Sequence, residues 1–416
     1  MSLPPVVTPT AEALLAPRQE QRVLPGLERI ERALAALGHP ERAFPSALVL
    51  GTNGKGSTAA LLEGILRAHG VRTGLYTSPH LLRVEERIRV AGEWIASGEL
   101  RDLVAGLAHF PELSYFETLT AAAFLHFAGN GVSLAVLEAG LGGRWDATRA
   151  AAPAVTLLTN VGTDHAAWLG PTRLHVAREK AAALGGRAAI VGAWDDEVEA
   201  TIREHAAADT PLSLAADWAS VTPDQDGAVR FAVGGVAGGA RLRLAGRHQL
   251  DNLALALAGA AALARLGLAP TLEAAAVRRG VEAVRWPGRL EWRTWDGRRL
   301  LLDGAHNREA VAALVAALPD AGLAGPLHLL FSCLDDKPLA AMADLLRPHV
   351  CGVTVVPLSS PRATPPAALA AAFPGCRMCP DVATALAELP AGASVLVTGS
   401  LRLVGAVLEL IGGDDV

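Results

Sequence analysis

Lys55 and Ser57 are the residues best placed to do chemistry. They stand in Gly51-Thr52-Asn53-Gly54-Lys55-Gly56-Ser57, directly after the apolar run Ala47-Leu-Val-Leu50. A strand, a tight glycine turn, a lysine, a hydroxyl and then a helix-like run from Ser57 to His69, stopped by Gly70, is how a chain builds a phosphate cradle. Glycines let backbone N–H groups turn toward an anion, and the helix N-terminus adds partial positive charge. The lysine would meet the β- and γ-phosphates, and the hydroxyl can ligate Mg²⁺. The loop departs from the usual G-x-x-x-x-G-K-[ST] pattern, because position 49 is Val and the hydroxyl sits two residues past the lysine. An ordinary glycine-rich turn requires neither lysine nor hydroxyl, so the segment predicts nucleoside triphosphate binding.

Glu138 closes another apolar run, Leu134–Glu138, and a carboxylate there needs a cation or strong donors to stay ionised. With Ser57 and His165 it makes an oxygen/nitrogen set suited to Mg²⁺. Taken alone, His165 fits a satisfied structural histidine equally well, and Lys180, in Arg178-Glu-Lys180-Ala, fits a solvated surface lysine.

These residues need a scaffold, and the pattern supplies one. Short apolar runs alternate with helical stretches, which signals a parallel sheet covered by helices. Candidate strands are 47–50, 73–77, 134–138, 155–159 and 188–191. From Trp218 to Leu244 the pattern shortens, with Gly234-Gly and Gly238-Gly as turn signals, predicting a small antiparallel sheet. After the linker-like Arg285-Trp-Pro-Gly-Arg289 the alternation resumes at 300–303, 327–332, 353–357 and 394–398. The prediction is an α/β protein with a P-loop-type, mostly parallel domain (1–289) carrying the small sheet, plus a Rossmann-like domain (290–416). Ligands of open parallel sheets bind beyond the carboxyl ends of the strands. Those ends read Gly51…Lys55, Ser78-Pro79-His80, Glu138, Asn160…Asp164-His165, Asp303-Gly-Ala-His306-Asn307 and Gly399-Ser400, so the site is expected between the domains.

Composition bounds the partners. The chain has 416 residues, 51% hydrophobic and only 4% aromatic, so Leu, Val and Ala fill its cores. A net charge of −5 argues against nucleic acid. Four cysteines exclude a disulfide scaffold and suit a reducing cytoplasm; Cys376-Arg-Met-Cys379 has no second pair to complete a zinc site. Met1-Ser-Leu-Pro-Pro shows neither the basic nor the apolar region of a signal peptide, and the apolar stretch 253–264 is too short for a membrane span. A soluble, cytoplasmic protein is expected.

The strings GTNGKGS (51–57), TSPHL (77–81), ERIRVAG (86–92), FETLTAAAF (116–124), LEAGLGGRWDAT (137–148), TNVGTDHAAWLG (159–170), REKAA (178–182), PGRLE (287–291), LDGAHN (302–307) and TGSLRLVG (398–405) occur in this order. Together they resemble the dihydrofolate synthase/folylpolyglutamate synthase family of the Mur ligase superfamily, over about residues 27–407. Cell-wall Mur ligases carry GKT-type loops behind a separate UDP-sugar domain, whereas here the loop reads GKGS and begins at residue 51. The resemblance implies an ATP-dependent acid–amino-acid ligase. ATP would convert a carboxylate to an acyl phosphate, which the amine of L-glutamate attacks, releasing ADP and phosphate. The acceptor would be dihydropteroate and/or the γ-carboxylate of a tetrahydrofolate.

By motif match Lys55 contacts the phosphates, within an ATP site of Gly51, Thr52, Asn53, Gly54, Lys55, Gly56 and Ser57. Ser57 and Glu138 would hold one Mg²⁺; Glu138, His165 and a carbamylated Lys180 a second; a monovalent cation such as K⁺ is a further expectation. Asn252 and Asp303 are assigned to adenine and ribose, and Arg289 to the phosphates. The carboxylate pocket would use Ser78, Pro79, His80, Asp146 (on the pteridine), Phe116 and Phe124, with His306 and Ser400 on the glutamate side. Departures from the family pattern stand at Arg149, Ala182-Ala183, Arg308 and Arg402, and none removes a charged catalytic group. Arg149 and Arg402 bear on substrate preference. The protein is expected to act as a monomer on small molecules only. A ligase for another carboxylate, such as a cell-wall precursor, and a nucleotide-binding relative without catalysis are the competing readings.

Overall fold

The computed structural model describes residues 9–18, 24–192, 194–322 and 327–412; Met1–Pro5, where no leader is expected, lies outside the described residues. The first sheet comprises β1 (Ser46–Leu50), β2 (Thr73–Tyr76), β3 (Ile88–Val90), β4 (Glu93–Trp94), β5 (Leu134–Glu138), β6 (Val155–Leu158), β7 (Ala188–Val191) and β8 (Leu212–Leu214). Its order is β4-β3-β2-β5-β1-β6-β7-β8. The strand feeding the glycine loop is central: β1 pairs in parallel with β5 and β6, setting Val49 beside Glu138 and Leu50 beside Leu158. β1, β5, β6 and β7 are buried throughout, which explains why they read as apolar runs rather than alternations. The edge is an antiparallel hairpin, β3–β4, turned at Ala91-Gly92 with φ of 53° and 92°. Three- and two-residue strands are too short to show periodicity, so the sequence pattern misses them.

The small sheet is β9 (Ala219–Pro223), β10 (Ala228–Val233) and β11 (Val236–Arg241), all antiparallel. Gly234-Gly235 makes the expected turn with φ of 57° and 82°. Gly238-Gly239 does not turn. Both lie within β11, where a Cβ on Gly238 would stand 2.8 Å from the Phe231 ring, so this glycine makes room for an aromatic across the ladder.

The last sheet comprises β12 (Glu291–Trp295), β13 (Arg298–Leu302), β14 (Leu327–Phe331), β15 (Val350–Val355), β16 (Arg377–Met378) and β17 (Ser394–Thr398), in the order β12-β13-β17-β14-β15-β16. It is parallel except for the β12–β13 hairpin, which turns on Asp296-Gly297. Among the described residues no helix is long and apolar enough to cross a membrane.

The helix after the glycine loop, Lys55–Ala68, is buried from Gly56 to Leu66 and packs against the helices His248–Arg265 and Ala274–Ala283. Its crossing with the latter is backbone on backbone. A Cβ on Gly280 would stand 2.6 Å from the Gly64 carbonyl oxygen and 2.7 Å from the Ile65 Cα. Only glycine permits this approach, and it fixes the depth at which the loop sits. Gly280→Ala should therefore destabilise the protein by about 1–3 kcal/mol in urea unfolding, as overpacking does. Gly129→Ala, whose Cβ meets nothing within 4 Å, should not.

Candidate active site

The loop is held from behind by its neighbour strand. Gly51 (φ 146°) lies so near Thr159 that a Cβ would collide with its hydroxyl, and Gly54 (φ 83°), the N-cap of the helix, meets Asn252 in the same way. Asn160 locks the turn: its Oδ1 accepts the Asn53 N–H (3.0 Å) and its Nδ2 donates to the Asn53 carbonyl (3.1 Å). Thr159 Oγ1 donates to the same carbonyl at 2.6 Å. Lys55 Nζ folds back onto the carbonyls of Gly51 (3.1 Å) and Thr52 (3.2 Å). Ser57 is buried, its hydroxyl 3.4 Å from Gln249 Nε2, and Gln249 in turn accepts from Asn252 Nδ2 at 2.8 Å.

Two cavities meet at this loop. One, of about 300 Å³, is lined by Thr159, Asn160, His248, Asn252 and Asp303. The other, of about 400 Å³, is lined by Lys55, Ser78, Pro79, Phe116, Glu138, Asp146, His165 and Ser400. Asn53, Gly54, Ser57, Arg289 and His306 line both, so the loop and the inter-sheet linker form a shared wall.

Burial dominates the electrostatics of the site. Burial raises the pKa of the Glu138 carboxyl, against Lys55, the Ser78 N–H (2.9 Å), Arg289 and Arg87. Burial lowers His165 to about 4, so its imidazole is neutral at pH 7 and free to act as a ligand. Burial, then the charge of Lys55, lowers Lys180 to about 7. Lys180 lines neither cavity; its Nζ reaches the Gly51 carbonyl from beneath at 2.7 Å. Among the described residues no cluster of three His, Cys, Asp or Glu forms a ready-made metal cage.

Asp146 is buried at the cavity wall and accepts four bonds: Gly140 N (2.8 Å), Leu141 N (3.1 Å), Thr148 N (3.1 Å) and Thr148 Oγ1 (2.5 Å). It thus braces the 140–146 loop. Phe116 is positioned by the capping box of helix Tyr115–Gly129, in which Ser114 and Glu117 bond each other's backbone N–H. Phe124, expected in the same pocket, is instead fully buried against Phe44 (6.1 Å). Two turns along that helix it faces the core, so the substrate assignment is corrected. His80 lies outside the larger cavity, beside Arg87 (2.9 Å). Asp303 accepts the N–H groups of Leu290 (3.0 Å) and Ala305 (2.9 Å), which stations the linker and Arg289. Ser400 caps the helix Leu401–Leu410, and His306 Nδ1 lies 2.8 Å from the Gly304 carbonyl.

Sequence reasoning placed Asp164, His306 and Asn307 at strand ends but missed Lys337 and the contact that ties the halves together. Asp164 is buried and meets Lys337 Nζ (2.7 Å), Asn307 Nδ2 (3.1 Å) and His306 Nε2 (3.4 Å). Asn307 also donates to Asn53 of the loop at 2.9 Å. Burial alone would raise the Asp164 pKa, but His306, His165 and Lys337 together hold it well below the usual carboxylate range. Lys337 follows β14, so the strand-end rule that selects Asp303 also points to it.

Comparison with known proteins now decides the family. Residues 49–260 match the Mur ligase middle domain, and 288–401 match the Mur ligase glutamate ligase domain. The dihydrofolate synthase/folylpolyglutamate synthase of Mycobacterium tuberculosis is 34% identical, over 95% of this chain and 92% of its own length. The chain belongs to the dihydrofolate synthase/folylpolyglutamate synthase family. Another member, a probable bifunctional folylpolyglutamate synthase/dihydropteroate synthase of Haloferax volcanii, is 34% identical over 92% of the chain, which spans about half of that longer protein (48%). Among solved structures, E. coli FolC in complex with DHPP and ADP superposes with a TM-score of 0.84 at 29% identity, covering 98% of this chain and 100% of the other. The Yersinia pestis bifunctional synthase complexed with AMPPNP and Mn gives 0.84 at 30% identity, covering 99% and 100%. Within this family frame the departures become specific. Arg149 is turned inward, Nη1 donating to the Arg144 carbonyl at 2.5 Å, whereas Arg402 lines the larger cavity.

Lys337 and Asp164 are both about 5% exposed or less, so removing one partner strands a buried charge. Lys337→Met should cost on the order of 3 kcal/mol at neutral pH. Because the folded-state pKa of Asp164 is depressed, its stabilisation is complete above about pH 4 and fades as pH falls below that. Denaturant unfolding of both proteins at pH 7 and pH 3 should show the gap narrowing in acid.

Proposed function

We propose that this protein is an ATP-dependent ligase that joins L-glutamate to the carboxylate of dihydropteroate and/or the γ-carboxylate of a tetrahydrofolate. The observation that carries this reading is the shared wall. One cavity beside Asn252 and Asp303 suits a nucleotide, the other suits a carboxylate substrate, and the phosphate loop lies between them. The glutamate ligase family match and the ADP and DHPP bound to E. coli FolC support it.

A carboxylate is a poor electrophile, and phosphoryl transfer remedies this mainly by positioning and charge stabilisation. The substrate carboxylate oxygen attacks the γ-phosphorus and ADP leaves. The neutral amine of glutamate then attacks the acyl carbon; the C–O bond to phosphate breaks, and the nitrogen loses a proton. Lys55, released from its two carbonyls, would pair with the transferring phosphate, and Arg289 would reach it from the shared wall. His306 and Ser400, which line the larger cavity, would face the incoming glutamate. Asp146 would shape the head pocket by fixing the Gly140–Leu141 backbone as well as by its own contact.

The donor set fits a divalent cation: a buried hydroxyl, a carboxylate whose charge burial disfavours, and a neutral imidazole. Ser57, Glu138 and His165 would hold it, and it would neutralise charge spread over the phosphates. The Mn bound to the Yersinia relative supports divalent metal use. Two Mg²⁺ and a monovalent cation such as K⁺ complete the proposal, with the protein acting as a monomer.

Lys180 would be carbamylated. An unperturbed lysine is neutral in about one molecule in 2,500 at pH 7, whereas a pKa of about 7 leaves roughly half neutral and able to attack CO₂. The resulting anion would turn repulsion from Lys55 into attraction.

The deciding experiment measures phosphate release with ATP, Mg²⁺ and L-glutamate, comparing dihydropteroate, a tetrahydrofolate and a UDP-muramoyl precursor. Either of the first two should turn over and the third should not. Lys55→Ala should lower the rate by 10²-fold or more while leaving unfolding unchanged. Activity with the muramoyl substrate alone would overturn the reading.

Lys180 supplies a second test. Protein held in CO₂-free buffer should lose activity and regain it with bicarbonate, the regain slowing about tenfold per pH unit below 7. Since the folded-state pKa is lowered from 10.5 to about 7, the unfolded chain binds the extra proton between those values, and stability should rise with pH across that window. Full activity in CO₂-free buffer would exclude a carbamate.

A further inference from the structure

The chain has eight tryptophans, and six share one arrangement. An arginine guanidinium stacks over Trp94, Trp194, Trp218, Trp286, Trp292 and Trp295, with distances to the ring centroid of 4.1 to 5.6 Å. Among the described residues no arginine covers the other two, Trp145 and Trp168. These two are also among the few exposed large apolar side chains, at 50% and 53%. Both line the mouth of the larger cavity. The chain thus caps its indoles elsewhere and leaves two faces open where a ligand enters.

Both rings stand on braced backbone. Trp145 belongs to the loop that Asp146 ties through Gly140 and Leu141, and that the Arg144 N–H anchors to the Glu179 carbonyl (3.0 Å). Trp168 lies in the short helix Ala166–Leu169, whose Trp168 and Leu169 N–H groups both donate to His165 (2.9 and 3.0 Å). The two segments touch: a Cβ on Gly142 would stand 2.9 Å from Leu169. Deeper in the same cavity Phe116 lies against Gly140. Two open indoles on hydrogen-bonded backbone, in a cavity that Phe116 also lines, favour a flat aromatic ligand, since ring stacking gains area and quadrupole attraction.

We infer that Trp145 and Trp168 are specificity-determining residues that stack the flat aromatic part of the carboxylate substrate at the cavity mouth. This rests on the ligase reading above, and the test separates the two. Wild-type turnover with dihydropteroate is established first; its absence with every carboxylate offered would count against the ligase reading alone. Given turnover, Trp145→Ala and Trp168→Ala should each raise KM for dihydropteroate roughly tenfold, with KM for ATP and for L-glutamate unchanged. Trp→Phe at either position should restore most of the loss. Adding dihydropteroate should quench tryptophan fluorescence in the wild type, and the Trp145→Phe/Trp168→Phe double variant should lose most of that quench. KM for dihydropteroate within twofold of wild type in both alanine variants would overturn the inference. So would an equal shift in all three KM values, because that marks a merely structural role.

Discussion

Two lysines converge on one carbonyl oxygen. Lys55 reaches Gly51 from the cavity side and Lys180 from the buried side, and the rest of the site follows from keeping both there. Like charges in a poorly solvated place repel, and the protein resolves this by making one of them give up its proton readily. Glu138 on the adjacent strand answers Lys55, yet it is itself buried enough to hold its charge at a cost. The region is therefore charged, poorly solvated at Lys180 and Glu138, and only partly balanced. Gly51 makes this possible, because its φ of 146° is closed to side chains and its neighbour Thr159 fills the space a Cβ would need.

The same loop is also a domain contact. Asn53 bonds Asn307 in both directions, at 2.9 and 3.2 Å, and Thr163 donates its hydroxyl to Glu309 at 2.9 Å. With Asp164 and Lys337, these bonds form a polar seam at the loop, while Leu81 and Leu82 pack against the apolar core of the second half.

Much of this was legible in the sequence. β1, β5, β6 and β7 are buried on both faces, so their apolar runs are visible, and the glycine loop is named by its own residues. The β3–β4 hairpin escaped because its strands are three and two residues long, and β12 escaped because it is an edge strand of mixed character, though Asp296-Gly297 was a readable turn signal; its partner β13 overlaps the run read at 300–303. Lys337 escaped, and so did the part Asp164 plays with it, because that contact exists only once two distant segments meet. Phe124 was misplaced for the opposite reason: motif membership put it in a pocket, while helical geometry sends it to the core. The fourfold use of Asp146 is likewise invisible before folding, since three of its four donors are backbone groups.

Arg289 gives the linker an unusual duty. It lies in the segment joining the two halves, and its guanidinium forms part of the wall common to both cavities. Its backbone is fixed from the far side by Asp303 through Leu290. A linker that carries a cavity-facing guanidinium couples the placement of the second half to the charge on the shared wall. Were one half to shift against the other, that charge would shift with it, so the electrostatics of both cavities and the seating of the halves are set by a single residue.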